Sequence, residues 1–390
     1  MKRENGFTLV ELMTAMAILS VVVATTVGIL IQAQRVTSGV ALEANTQENL
    51  RAGMHFVVRD LMQAGEGVPP GGIDIPLNTS GASNLNRPGI ITPATTFLTS
   101  YTALPVITPG YEQGQDALTV SATTGAVLNG NLQTDIINVI YADNTLVDAS
   151  GHYLNSAPVA SASSPTCAGT INASGTSVTL AAGCFTMPGG PTPVGVGNLI
   201  LFTNGNGTAL EYVTSVSGQT INFAAGDPAG LNALSASTYP DGTVQAMKAS
   251  TTATTITRVW MVTYYVDSTT NQRCPQLVRQ VNYPGYPSGA PVNPPQPIGD
   301  CIDDLSFSYD ITGSGAPTGT YSNGPGDAST PLGGDSPSQI RAVNVTIGAR
   351  SLYPFTEAPG EDYFYNSLST QVSVRSLSFV NSFTTSSTTP

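Results

Sequence analysis

At the start of the chain apolar residues do not alternate with polar ones but run on. From Leu12 to Ile31 no side chain is charged, and after Glu11 the next charge is Arg35. As a helix, Phe7 to Ile31 would reach ~37 Å at about 1.5 Å of rise per residue, enough for the ~30 Å hydrocarbon core of a bilayer. Beyond Ile31 the pattern turns amphipathic. Val36, Val40, Leu50, Met54, Val57, Leu61 and Ala64 recur mostly every three or four residues, while Arg35, Glu43, Glu48, Arg51, Arg59 and Asp60 fall on other faces. The pattern predicts one helix from about Thr8 to Ala64, ended by Gly65-Glu66-Gly67 and Pro69-Pro70-Gly71-Gly72. It contains no proline, and Gly28, Gly39 and Gly53 are its soft points. Arg59 and Asp60 read as solvated helix charges.

After the helix the pattern changes period. Gly71 to Gly114 is rich in Pro, Thr, Asn and Gly and reads as a long surface loop. Strands follow at Asp116 to Ala122, Thr134 to Tyr141 and Thr176 to Leu180, with a loop over Asp148 to Ser164. Asn198 to Phe202, Ala209 to Val216 and Thr220 to Phe223, separated by Asn204-Gly205-Asn206-Gly207 and Ser217-Gly218, predict a three-stranded meander. Further strands are expected at Thr254 to Val266, Leu277 to Val281, Ile302 to Tyr309, Ile340 to Arg350 and Leu368 to Ser378. The last of these alternates polar and apolar residues, as a half-buried strand does. A long helix packed on an antiparallel sheet is an α+β plan.

Composition sharpens this picture. Only 10% of residues are charged, and the net charge of −12 rests on 25 acidic against 13 basic residues. An acidic, lysine-poor surface argues against nucleic acid, whose phosphates are held by Lys and Arg. The cysteines are Cys167, Cys184, Cys274 and Cys301, all beyond the apolar run. Four cysteines allow three pairings; Cys167 with Cys184 and Cys274 with Cys301 each bracket a local loop, and each would stabilise by ~3 kcal/mol. Disulfides place this part of the chain in an oxidising compartment.

Glu11 is the oddity of the apolar run, since a carboxylate at the edge of hydrocarbon needs a partner. Before it stand Met1-Lys2-Arg3-Glu4-Asn5-Gly6 and then Phe7-Thr8-Leu9-Val10. A secretory signal is cut beyond its apolar stretch, whereas here the small residue precedes it. This order resembles the type IV prepilin signal. The resemblance implies cleavage after Gly6 by a prepilin peptidase, methylation of the new N-terminus at Phe7, and an assembly role for Glu11, which would meet the free amine of a neighbouring subunit. Lys2 and Arg3 would stay cytoplasmic. The stretch Gln47 to Gly65, with Arg59-Asp60-Leu61 and Ala64-Gly65, and the strands around Val262 to Asp267 and Leu277 to Val281 resemble PilW-like minor pilins and the related J-type pseudopilins of type II secretion.

The resemblance implies the following organisation: a leader at 1–6, a transmembrane and assembly helix at 7–34, its amphipathic half at 35–66, a loop- and β-rich insertion at 67–250, a pilin-like sheet at 251–380 and a tail at 381–390. The expected protein is a minor pilin that initiates, primes or caps a type IV pilus. It would begin as a single-pass inner-membrane precursor with a periplasmic head and end at the cell surface, its partners being the peptidase and other pilins. A J-type pseudopilin, or an adhesin exported as a pilin, are the alternatives.

No catalytic constellation emerges. His55 falls in the helix and His152 in a polar loop, and there is no Walker loop, GxGxxG after a strand or HExxH. Asp303 and Asp304 are adjacent on a strand and face opposite ways. An enzyme is not expected, nor a cofactor, with calcium on Asp327 and Asp335 of a glycine-rich loop as the one ligand to weigh.

Overall fold

The computed structural model describes residues 8–69, 71–78, 83, 85–89, 103–120, 127–143, 157–159, 169–180, 194–232, 241–247, 254–271, 274–284, 293–311, 319–321, 337–353 and 363–374. The architecture is α+β, with a long N-terminal helix followed by antiparallel sheets. Helix α1 spans Leu9–Gln63, with Thr8 as N-cap and Ala64 as C-cap. Its end is sewn to the sheet: Gly65 N–H donates to the Ile140 carbonyl (2.8 Å) and Ala142 N–H to that of Glu66 (2.7 Å). Gly67 sits at φ +68°, and a Cβ there would come 2.5 Å from that of Ala142, so the exit needs glycine twice over.

Among the described residues the principal strands of the head are β1 (Ile137–Ala142), β2 (Leu199–Asn204), β3 (Gly207–Tyr212), β4 (Thr254–Asp267), β5 (Gln276–Val281), β6 (Gln296–Asp300), β7 (Ile302–Ile311), β8 (Ile340–Arg350) and β9 (Tyr365–Ser373). β4 is the spine of an eight-stranded sheet. Along one edge it pairs with β2 (Leu199 opposite Val259) and β5 (Val262 opposite Val281). Along the other it pairs with Ala157–Val159 and β1 (Trp260 opposite Tyr141). β3 and β6 extend the outer edges, and Ile107–Thr108 pairs with β1. β7, β8 and β9, with Gly319–Tyr321, form a second, four-stranded sheet. Asp135 joins the two sheets, its N–H donating to the Leu305 carbonyl (2.8 Å) and its Oδ2 accepting from Phe307 N–H (2.7 Å).

The helix packs across both sheets. Leu50, Met54, Val57, Leu61 and Ala64, spaced four, three, four and three, share one buried core with Val139, Tyr264, Leu277, Leu305, Val345 and Val372. Gly53 proves to be a close-approach residue, for a Cβ there would lie 2.8 Å from Leu277 Cδ2.

Three sequence expectations change. The meander is split: β2 and β3 belong to the large sheet, while Thr220–Asn222 pairs with Ser215–Ser217 and Ser177–Leu180 in a separate small sheet. β2 alternates within a continuous apolar run, Ile200 and Phe202 facing the small sheet and Leu199 and Leu201 the other core, so both its faces are covered. The segment read as a surface loop after Gly71 instead fills that other core, with Ile73, Ile75, Leu85 and Leu104 buried. Ala157–Val159 forms a strand within the stretch read as a loop.

Candidate functional site: the exposed helix and its seat in the head

Thr8 opens α1 with a capping box. Its hydroxyl oxygen accepts from Glu11 N–H (3.3 Å), and Glu11 Oε2 accepts from the Thr8 N–H and hydroxyl, each at 2.9 Å. From Thr8 to Asn45 no residue is buried. This uncovered half holds the helix's apolar run, long and apolar enough to cross a membrane. Its few hydroxyls are satisfied within the helix, Thr14 donating to the Glu11 carbonyl (3.0 Å), Ser20 to Ala17 (2.8 Å), Thr25 to Val22 (2.9 Å) and Thr26 to Val23 (2.9 Å). That is what hydrocarbon requires, because lipid supplies no partner.

The head takes hold of the helix at Thr46, the first buried residue, through both the apolar stripe and a polar cluster around Asp60. Asp60, expected to be solvated, is fully buried. Its Oδ2 accepts from Tyr264 Oη (2.5 Å) and Arg279 Nε (2.6 Å), and its Oδ1 from Tyr141 Oη and Arg59, each at 3.3 Å. An acidic group in the last turn of a helix opposes the helix dipole, so the Arg279 guanidinium from β5 is its natural counter-charge. Burial, then the Asp60 charge, pushes the Tyr141 phenol up to about 12 and lifts that of Tyr264 further. Burial pulls Arg279 down, but the hydrogen bond and charge of Asp60 outweigh it and hold the guanidinium above its ordinary range. Only Arg59 remains largely in solvent, over the Phe56 ring at 5.0 Å. The signal was present in the sequence. Asp60 stands three residues after Val57 and four before Ala64, on the apolar stripe.

Cys274 and Cys301 form a disulfide across 27 residues, enclosing β5 and β6. Cys301 lies at φ +56°, turning the chain from β6 into β7. Between this disulfide and α1 at Leu42 to Asn49 is a cleft of about 510 Å³. Buried Arg350 forms part of its wall and lies over the Tyr363 ring at 5.4 Å. Among the described residues no three His, Cys, Asp or Glu side chains gather as a metal site. His55 stands edge-on to Phe56 with ring centres 5.9 Å apart. Gly6, Phe7, Cys167, Cys184, Asp327 and Asp335 lie outside the described residues.

A family model described as the prokaryotic N-terminal methylation motif matches residues 1–27. The chain opens with a prepilin-type motif. The motif supports a type IV pilin-like protein and implies processing by a prepilin peptidase and contact with other pilins. Membrane anchoring followed by entry into a pilus is the course such a motif indicates. No curated protein and no solved structure matches the chain. The long N-terminal helix and the antiparallel sheets that follow it are consistent with a pilin-like fold.

Proposed function

We propose that this chain is a minor pilin of a type IV pilus, a structural rather than catalytic subunit that initiates, primes or caps the filament. Cleavage after Gly6 frees the amine of Phe7, and in the filament a neighbour's amine becomes the partner of Glu11. The observation that carries the reading is the division of α1: apolar and uncovered from Leu9 through Ile31, buried in the head from Thr46 onward. An uncovered apolar helix of this length requires lipid before assembly and other helices after it. The large β-rich head stays periplasmic in the precursor and supplies contacts to other minor pilins.

The test is the intact mass and N-terminal sequence of the membrane-fraction protein, with and without a prepilin peptidase, followed by quantification in sheared filaments. A methylated Phe7 start that depends on the peptidase, with the chain present in trace amounts yet needed for filament formation, is expected. Glu11→Ala should be processed and stable but fail to support assembly. A chain still starting at Met1 in the presence of peptidase would remove the reading.

A further inference from the structure

Between its membrane half and its head-bound half, α1 crosses a lightly held stretch, in which Gly39 and Leu42 are half-buried and the other residues exposed. Residues 32–45 are nowhere buried. Thr37 donates to the Ala33 carbonyl at 2.9 Å and Gln47 to the Glu43 carboxylate at 3.2 Å, both within the helix. Among the described residues, no hydrogen bond or ion pair ties residues 32–41 to the head. In the middle stand Val36-Thr37-Ser38-Gly39-Val40, five successive poor helix formers, flanked by Gln32-Ala33-Gln34-Arg35 and Ala41-Leu42-Glu43-Ala44, which are mostly strong ones. The Thr37 back-bond is of the kind that bends helices.

We propose that Val36–Val40 is a built-in joint, at which the helix opens so that the head can reorient over the membrane. The inference rests on the membrane placement of the apolar half proposed above. The location follows from what opening would expose elsewhere. Unwinding before Ile31 would bare backbone groups to hydrocarbon, and unwinding after Thr46 would uncover the core. Of the three glycines in α1, Gly28 falls in the apolar run and Gly53 is pinned under Leu277. Gly39 alone is placed to yield. Arg35 puts the joint just outside the hydrocarbon, and five residues drawn from helix to extended chain lengthen by ~9 Å. A head that can turn and rise by that distance can meet a growing assembly while its anchor stays in lipid. Once neighbours pack along this stretch the helix closes, because tertiary contact supplies the stability that its sequence lacks.

The experiment is hydrogen exchange of the full chain in phosphatidylcholine nanodiscs, read over 12–31, 32–45 and 46–63. Residues 36–40 are expected to exchange at least about tenfold faster than either flank. Gly39→Ala should slow them about fivefold and Ser38→Ala/Gly39→Ala about tenfold, the Boltzmann factors of the propensity differences. Gly28→Ala should leave them unchanged. Exchange at 36–40 as slow as at 46–63, or insensitive to both substitutions, overturns the joint while protection at 12–31 keeps the membrane placement intact. Fast exchange throughout 12–45 overturns both.

Discussion

Asp60 is the residue whose removal the structure prices most clearly. It is fully buried, and its main partner Arg279 is only 12% exposed, so solvent screens the pair little. Deleting the carboxylate in Asp60→Ala strands a guanidinium and the hydroxyls of Tyr264 and Tyr141 in the core between helix and sheet. Breaking a buried pair from one side costs ~3–5 kcal/mol, against ~5–15 kcal/mol of total stability for a typical domain. Urea unfolding of the full chain in detergent micelles measures it, with Trp260, the only tryptophan, as reporter. Trp260 stands opposite Tyr141 in the ladder and so senses the same region. At a slope of about 3 kcal/mol per molar urea, the midpoint should fall by ~1–1.7 M. Arg279→Met should cost a similar amount. The double variant Asp60→Leu/Arg279→Met should recover most of the loss, since an apolar pair of comparable volume replaces both charges. A single-variant loss below about 1 kcal/mol, or a double variant that loses the sum of the two, would refute this account.

Two other predictions concern the head. Reducing Cys274–Cys301, or replacing both with Ser, should cost ~3.5 kcal/mol through the freed loop and lower the melting temperature; an unchanged melt in reductant would count against the bond as a clamp. Glu211, buried beside the short helix Val244–Met247, has its carboxyl pushed well above its ordinary 4.5 by burial, partly offset by the Val244 N–H and reinforced by the Asp227 charge. The folded state thus holds this proton to higher pH than the unfolded chain. Its contribution is fully present below the ordinary value and is lost as pH rises from 4.5 through the folded value. Glu211→Gln should therefore melt higher than the parent at about pH 7 and level with it at about pH 4, and a lower melt at neutral pH would show that the carboxylate is stabilising.

The helix was legible because its signals are local and redundant. An uncharged run, a stripe recurring every three or four residues and a glycine- and proline-rich exit each point to the same element. The Cys274–Cys301 pairing followed from its short loop. What stayed hidden depended on partners far away in sequence. Ile73, Ile75 and Leu77 alternate with Asp74 and Pro76 over only five residues, Leu85 and Leu104 lie well apart from them in sequence, and only the face of β2 and β4 shows them to be core. The break after β3 is equally silent, since turn chemistry predicts hairpins but not which sheet a hairpin joins. At Asp60 residue type overrode position: a charge was taken as surface although its place on the apolar stripe said otherwise.

The separation between Asp60 and Arg279, 219 residues, has a consequence for the order of events during synthesis. The helix leaves the ribosome first, yet β5, which holds its far end, comes two hundred residues later. At about 5–20 residues per second, Asp60 waits roughly ten to forty seconds for Arg279 of β5, and the stripe from Leu50 to Ala64 waits longer still for β8 and β9. Through that interval the membrane half can already be threaded into lipid while the other half still presents an apolar face beside an unsatisfied acid. The newborn chain is thus most vulnerable to aggregation and proteolysis at the segment that later becomes the best-secured part of the fold.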